Sequence, residues 1–265
     1  MTYRLTILGC GSSGGVPRIG TMWGKCDPEN PKNRRRRCAV LIERIGREGV
    51  TRILVDTPPD IREQLLDTRV TWIDGVIFTH DHADHTHGID DLRMVSYAMR
   101  KRIDVWFDAA TRASLEQRFA YCFATPDGSS YSPILMPHDV EGGGRIVIAG
   151  AGGPIEVAAI PQVHGDILSL GLRVGSLAYS PDVSDLSPDA QAMLEGIDTW
   201  IVDALRYTPH PSHFHVKAAL SWIERLRVKR GVLTHMTTDL DYAALRRELP
   251  AGVEPAYDGM QIEFS

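Results

Sequence analysis

Four histidines fall within eight residues of this chain, directly after a short apolar run. The segment 79–88 reads Thr-His-Asp-His-Ala-Asp-His-Thr-His-Gly, and it follows Val76–Phe78. Successive side chains of a strand point to opposite faces, so these groups converge only where the backbone turns at a strand end. Packed together, they would stay unpaired unless a cation bound them. Imidazole and carboxylate ligands suit Zn, Mn or Fe, so the segment predicts a metal site; the alternative is a solvated polar turn.

Short runs rich in Ile, Val and Leu recur between turn signals along the whole chain. We predict strands at Leu5–Leu8, Ala39–Ile42, Ile53–Val55, Val76–Phe78, Val105–Phe107, Ile146–Ile148, Ile155–Ile160, Ser169–Val174, Leu177–Tyr179, Trp200–Val202 and Val232–Thr234. Helical periodicity predicts helices at Pro59–Asp67, Leu92–Arg100, Thr111–Phe123, Pro188–Glu195, His215–Leu226 and Asp241–Glu248. Few strands alternate strictly with helices, which favours mixed sheets over a doubly wound parallel sheet. We expect one domain over residues 1–265, made of two similar halves.

Composition narrows the class of protein. The 265 residues are 43% hydrophobic and 24% charged, which is ordinary for a globular domain, and no apolar run reaches the roughly 20 residues that span a bilayer. The net charge of -5 makes a nucleic-acid partner unlikely. The first residues run directly into a strand pattern and the four cysteines are scattered, so we expect a cytoplasmic protein with reduced thiols. The sequence leaves a homodimer open.

The histidine segment resembles the signature of a known family. His80-x-His82-x-Asp84-His85 after an apolar strand is similar to the metal-binding motif of the metallo-β-lactamase superfamily. The resemblance implies an α+β fold, an αββα sandwich of two mixed β-sheets flanked by helices, with two divalent metal ions, Zn or Mn, at one edge. Three further ligands stand in the family's order after short apolar runs: His164, Asp182 and His235.

The resemblance also implies a role for each ligand. It assigns three histidines to one metal, namely His80, His82 and His164. It assigns three residues to the other metal, namely Asp84, His85 and His235, and it makes Asp182 the bridge. Two ions so bound would lower the pKa of a bridging water towards neutrality. Asp56, which follows Ile53–Val55, would support the metal histidines or, alternatively, cap a helix. His87 would be a supporting or merely structural residue.

Both ends of the chain resemble one branch of this family, the small phosphodiesterases typified by phosphoribosyl 1,2-cyclic phosphate phosphodiesterase. The resemblance rests on two segments, the glycine-rich residues 9–17 and residues 257–262. Ser12 and Ser13 in the first segment are candidate substrate contacts, because a glycine-rich turn can present N–H groups to an anion. By position His213 resembles the branch's catalytic histidine, and Asp84 is the other candidate proton donor. His215 stands where the branch can carry a carboxylate and is a candidate substrate contact.

The predicted function is hydrolysis of small cyclic or nucleotide-like phosphoesters by a metal-bridging hydroxide. The alternatives are an endoribonuclease similar to the tRNA 3′-processing enzymes and a non-hydrolytic metal- or nucleotide-binding sensor. Arg93 is a candidate pocket residue, and Arg34–Arg37 is either a solvated turn or an anion contact. The branch's cysteine-rich zinc site is not matched, since Cys26 stands alone and Thr238 occupies the place of a further ligand. We therefore expect two metals and no third.

Overall fold

The computed structural model describes residues 2–265. Its strands are β1 (Thr2–Gly9), β2 (Ala39–Ile45), β3 (Val50–Val55), β4 (Gly75–Ile77), β5 (Ile103–Phe107), β6 (Leu135–Asp139), β7 (Arg145–Ile148), β8 (Ile155–His164), β9 (Ile167–Val174), β10 (Leu177–Ser180), β11 (Thr199–Asp203), β12 (Arg230–Thr234), β13 (Val253–Pro255) and β14 (Gln261–Phe264). Its α-helices are α1 (Ile61–Thr68), α2 (Ala83–Thr86), α3 (Leu92–Met99), α4 (Ala109–Arg118), α5 (Ala120–Phe123), α6 (Pro188–Leu194), α7 (Val216–Arg225) and α8 (Tyr242–Glu248). Two 3₁₀ turns lie at Pro31–Asn33 and Ile89–Asp91.

The strands form two seven-stranded mixed sheets, as predicted. The first has the order β14-β1-β2-β3-β4-β5-β6 and the second β13-β12-β11-β10-β9-β8-β7. Each sheet is antiparallel along one half and parallel along the other. The two halves of the chain thus repeat one pattern, except that β14 from the C-terminal part crosses to complete the first sheet.

The main core lies between the two sheets. Ile42 and Ile53 of the first sheet belong to one buried cluster with Val157 and Leu172 of the second. The other face of the first sheet packs against α1 and α3 through a second cluster, while α6, α7 and α8 contact the second sheet. Both faces of the central strands are therefore buried. Successive residues of such a strand point to opposite faces, so most of them are apolar, which explains the continuous apolar runs in the sequence.

Three of the observed strands were not predicted from the sequence, and one predicted helix is divided into two in the structure. Strands β6 and β13 contain Pro137 and Pro255, and both lie at sheet edges, where a strand tolerates proline. The last, β14, is only four residues long. The helix predicted at 111–123 is two helices, α4 and α5, separated at Phe119, whose φ of -127° and ψ of 37° are not helical.

Three members of the arginine run at 34–37 are engaged by the fold, whereas Arg34 is exposed. Arg35 is fully buried, where its guanidinium faces the Thr237 carbonyl at 3.3 Å. Arg36 pairs with Asp67, and Arg37 lies 2.8 Å from Asp60. This run therefore ties the N-terminal segment to the rest of the fold.

No helix within residues 2–265 has the length and apolar character needed to cross a bilayer.

The sheet topology gathers the polar strand ends at one edge. Parallel neighbours β3 and β4 end there, as do the parallel strands β10, β11 and β12 of the second sheet. β8 runs in the same direction as β10, because each is antiparallel to β9. The carboxyl ends of strands from both sheets thus lie together.

Candidate metal centre

The histidine segment is held by backbone contacts to the loop after β3. The Thr57 N–H donates to the His85 carbonyl at 2.7 Å, and the Gly88 N–H donates to the Thr57 carbonyl at 2.8 Å. A Cβ at position 88 would overlap the Pro58 carbonyl, so only glycine permits this approach. The two loops therefore act as one rigid support for the side chains that follow β4.

One group of candidate ligands has its donor atoms within 4.8 Å of one another: His80, His82, His164 and Asp182. His164 Nδ1 donates to the Ser212 carbonyl at 2.6 Å. His80 Nδ1 lies 3.0 Å from the Thr79 hydroxyl, which itself donates to a carboxylate. Both rings therefore keep their Nε2 atoms for an ion. His82 is exposed, so the group opens to solvent.

A second group meets the same criterion: Asp84, His85 and His235. Asp84 Oδ2 lies 3.6 Å from His85 Nε2 and 3.7 Å from His235 Nε2. His85 and His235 are buried, and Asp84 is half-buried. The structure thus brings all seven predicted ligands into two adjacent groups.

Asp182 lies between these groups, with one carboxylate oxygen towards each. Its Oδ1 is 3.1 Å from His85 Nε2 and 3.4 Å from His235 Nε2. Its Oδ2 is 3.5 Å from His164 Nε2 and 3.9 Å from His80 Nε2. This is the arrangement that a bridging carboxylate requires.

Orphaned polar atoms show that the cluster fits a divalent cation. The buried atoms without a hydrogen-bond partner include four that face this centre: His80 Nε2, His85 Nε2, His235 Nε2 and Asp182 Oδ1. Buried polar atoms are normally paired, so a concentration of orphans marks a place where a ligand is expected. Imidazole nitrogens with carboxylate oxygens are the donors that Zn²⁺ and Mn²⁺ accept.

The electrostatics of the cluster agree with that fit. Burial lowers the pKa of His80, and it lowers the pKa of His164 to about 4, so both imidazoles stay neutral and able to ligate. Burial alone would also lower the pKa of His85, but the carboxylates of Asp182, Asp56 and Asp84 reverse the sign and raise it. These three carboxylates together favour positive charge at the centre, and a bound metal ion would supply that charge.

Asp56 supports the ligands and is not a helix cap. Its buried carboxylate accepts from His85 Nδ1 at 2.7 Å and from the Thr79 N–H and hydroxyl, each at 2.8 Å. The N-cap of α1 is instead Asp60. Asp56 and His235 both have positive φ, 64° and 56°, which is uncommon for residues other than glycine. The backbone is thus strained where two site residues are presented.

Asp203 is a site residue that the sequence reasoning missed. It is fully buried at the end of β11, and its Oδ2 accepts from His213 Nδ1 at 2.7 Å. Its Oδ1 lies 3.8 Å from His235 Nδ1. The signal was present, because Trp200–Val202 followed by Asp203 repeats the pattern that singled out Asp56.

His213 sits between the metal ligands and a surface cavity. Its ring stacks on that of His235, with centroids 4.7 Å apart and planes 14° apart. It could complete a third ligand group with Asp182 and His235, but its Nδ1 is already engaged by Asp203. Burial lowers the pKa of His213, so the ring is neutral at pH 7 until a negative charge is placed beside it.

The cavity beside His213 has a volume of about 260 Å³. Its lining is mostly polar: Ser12, Ser13, Arg18, Leu205, Arg206, His210, His213, His235, Thr237 and Asp239. The two predicted serines therefore do face the site, and His210, to which the sequence assigned no role, joins them.

Three other candidates do not face this cavity. Arg93 pairs with Asp90 at 2.6 Å and borders a different cavity with Tyr121. His87 is exposed and packs edge-on against Phe119. His215 is the N-cap residue of α7, and its side chain makes no capping hydrogen bond. The contact of His87 with Phe119 agrees with the structural alternative for that residue, and a substrate contact from Arg93 stays a prediction.

Comparison with known proteins decides the family. A family model described as a beta-lactamase superfamily domain matches residues 51–236, which include the whole ligand set. The chain belongs to the metallo-β-lactamase superfamily. A solved structure described as a new diphosphatase from the PhnP family is 34% identical, with a TM-score of 0.87 over 100% of this chain and 98% of its own.

More distant relatives carry other names. An octanoyltransferase of Porphyromonas gingivalis is 29% identical over 97% of this chain, but the chain spans only 51% of that relative. The Zn²⁺-bound PqqB of Methylobacterium extorquens is 16% identical, with a TM-score of 0.77 over 98% of this chain and 99% of its own. At that identity the likeness shows the fold alone.

Proposed function

We propose that this chain is a phosphodiesterase that hydrolyses small phosphoesters with two divalent metal ions, Zn or Mn. The observation that carries the proposal is the position of Asp182 between two ligand groups, next to His213, whose outer edge faces an open polar cavity. The similarity to a diphosphatase at 34% identity supports phosphorus chemistry.

Bound at the two groups, divalent ions supply Lewis acidity to a phosphoryl oxygen and water of lowered pKa. The protein supplies the rest. His80, His82 and His164 would hold one ion, and the Nδ1 atoms of His80 and His164 are engaged by the Thr79 hydroxyl and the Ser212 carbonyl. Asp84, His85 and His235 would hold the other. Asp56 fixes the His85 ring through a 2.7 Å hydrogen bond, which keeps the free nitrogen aimed at the centre.

His213 is the group proposed to give a proton to the leaving oxygen. Asp203 holds its Nδ1, so Nε2 is left for the substrate. A phosphate anion at the centre would raise the pKa of the ring and favour its protonated form. Asp203 thus acts as a positioning residue, and Asp84 is the other candidate donor.

Metal content is the first test. We expect elemental analysis of the purified chain to find two tightly held ions and no third. The one candidate outside the centre, Cys26, contacts the carbonyls of Thr238 and Leu240 at 3.5 Å each and has Arg35 beside it, which leaves no place for a cation. Three ions retained after dialysis would contradict this expectation.

Substrate preference is the second test. Metal-loaded protein should hydrolyse bis-p-nitrophenyl phosphate faster than p-nitrophenyl phosphate. The dianion of a monoester should bind to the cationic centre as a hydrolysis product does, and it therefore acts as an inhibitor more than as a substrate. Millimolar inorganic phosphate or a nucleoside monophosphate should then inhibit competitively. Rapid hydrolysis of lactones or thioesters without diesterase activity would overturn the proposal. Cleavage of tRNA with strongly salt-dependent binding would favour the endoribonuclease instead.

A further inference from the structure

The cavity beside His213 carries positive charge that the proposed reaction does not use. Arg18 and Arg206 both line it, and within residues 2–265 neither guanidinium forms an ion pair. By contrast, Arg35 and Arg37 of the N-terminal segment are engaged by the fold, through the Thr237 carbonyl and Asp60 respectively. Two unpaired guanidiniums in one cavity constitute a site for an anion.

Arg206 is already oriented for such a role. Its Nε donates to the Thr208 carbonyl at 3.2 Å and its Nη2 donates to the Pro209 carbonyl at 2.8 Å. These bonds hold the guanidinium on the loop between β11 and α7. The remaining N–H groups stay available, and binding an anion then costs little side-chain entropy.

Arg18 approaches from the opposite element, the glycine-rich N-terminal loop. Its backbone pairs with Met22 through hydrogen bonds of 3.0 and 3.2 Å, which closes a short turn. Its side chain lies beside Gly14. Among the described residues that line the cavity, Asp239 has the only carboxylate, so the two guanidinium groups outnumber it.

The position of the cavity says which part of a substrate would reach the two arginines. The reacting phosphoryl group belongs at the ligand cluster, and His213 and His235 form the wall between that cluster and the cavity. A group that takes a proton from His213 therefore lies on the cavity side. The cavity, at about 260 Å³, is smaller than the roughly 300–1,000 Å³ of whole-ligand sites, so it accepts one part of a substrate.

We infer that Arg18 and Arg206 form a subsite for a negatively charged substituent, a carboxylate or phosphate, on the leaving group of the phosphodiester. This inference rests on the proposed function. It goes further by assigning the additional charge to the half of the substrate that departs with the proton from His213. The retained half needs no such charge.

The test uses three chromogenic diesters with the metal-loaded protein. Methyl 4-nitrophenyl phosphate has no additional charge, methyl 3-carboxy-4-nitrophenyl phosphate carries it on the leaving group, and 2-carboxyethyl 4-nitrophenyl phosphate carries it on the retained group. After correction for the leaving-group pKa, we expect kcat/KM to favour the second probe by about tenfold, the effect of one charge-assisted hydrogen bond. The third probe should show no such preference.

Substitution of both arginines should remove the preference. In Arg18→Gln/Arg206→Gln the ratio of kcat/KM between the second and first probes should fall to near one, mainly through KM. Arg206→Lys keeps the charge and should retain part of the ratio. Arg112→Gln changes a half-buried arginine of α4 that pairs with Glu116 and Asp139; it is the matched control and should leave the ratio unchanged.

Two kinetic results and one binding result would overturn the inference. Equal losses on all probes would mean that the arginines bind the phosphoryl group itself, and a preference for the third probe would place the subsite on the retained half. Binding of free 3-carboxy-4-nitrophenol against 4-nitrophenol, followed by difference spectra, tests the subsite without turnover. Absence of hydrolysis of bis-p-nitrophenyl phosphate would refute only the proposed function, whereas equal binding of the two phenols would refute the subsite.

Discussion

Replacing Asp182 with Ala is expected to remove both the metal and the activity. This carboxylate places one oxygen 3.1 Å from His85 Nε2 and the other 3.5 Å from His164 Nε2, so it is the one side chain that serves both ligand groups. Loss of a residue that merely supports a ligand costs about 10–100-fold in metal affinity, and loss of a shared ligand should cost more. Elemental analysis and diesterase assays on the same preparation measure the two effects together.

Two further variants keep this prediction decisive. Asp189→Ala removes an exposed carboxylate from the first turn of α6, and it should leave metal content and activity as they are. His82→Ala removes an exposed ligand whose loss should not affect folding, so its metal content should fall while the thermal transition of the chelated protein stays unchanged. Full occupancy of both sites in Asp182→Ala would show that the ligand order is wrong.

Replacing His213 with Ala should slow the reaction most for substrates whose leaving group must be protonated as it departs. General acid catalysis contributes about 10²–10⁴-fold, so an alkyl or ribosyl diester should slow by about 10²-fold or more. A p-nitrophenyl diester should slow much less, because p-nitrophenolate leaves without a proton. Metal content should persist, since Asp203 holds His213 Nδ1 and all seven proposed ligands remain.

Asp203→Asn separates a positioning role from a structural one. If Asp203 orients the proton donor, this variant should show the same dependence on leaving group as His213→Ala, at smaller magnitude. A loss of stability alone would lower the thermal transition and leave the ratio between the two substrates intact. Equal slowing of both substrates by His213→Ala would mean that His213 anchors the phosphate and donates no proton.

The family's motif and ligand order, together with the strand pattern, singled out the seven candidate ligands. Each follows or ends a short apolar strand, and strand ends with polar residues can be read from the chain directly. The sequence did not show in which direction each histidine side chain points. His87 and His85 are two residues apart on the same short turn, yet His85 points into the centre and His87 points to Phe119. Residues two apart on a helix point in nearly opposite directions, about 200° apart, and composition does not show which of the two faces the centre.

The arginines show the same limit more clearly. The run at 34–37 was the strongest basic feature of the sequence, but three of its members pair internally or are buried. Arg18 and Arg206 are isolated in the sequence, 188 positions apart by their numbering, and they meet only because the N-terminal loop and the loop after β11 lie at the same sheet edge. The density of charged residues along a chain does not show which of them lack an ion-pair partner in the folded protein.

By itself, the sequence determined the strand runs, the mixed-sheet class, the order of the ligands and the family resemblance, because all of these depend on residue type and near neighbours. Only the tertiary structure decided that Asp182 lies between two ligand groups, that Asp203 holds His213, and which cations face the cavity. Those facts depend on how two sheets from distant parts of the chain align their carboxyl ends. That alignment is set by the packing of the whole core, so no local segment contains it.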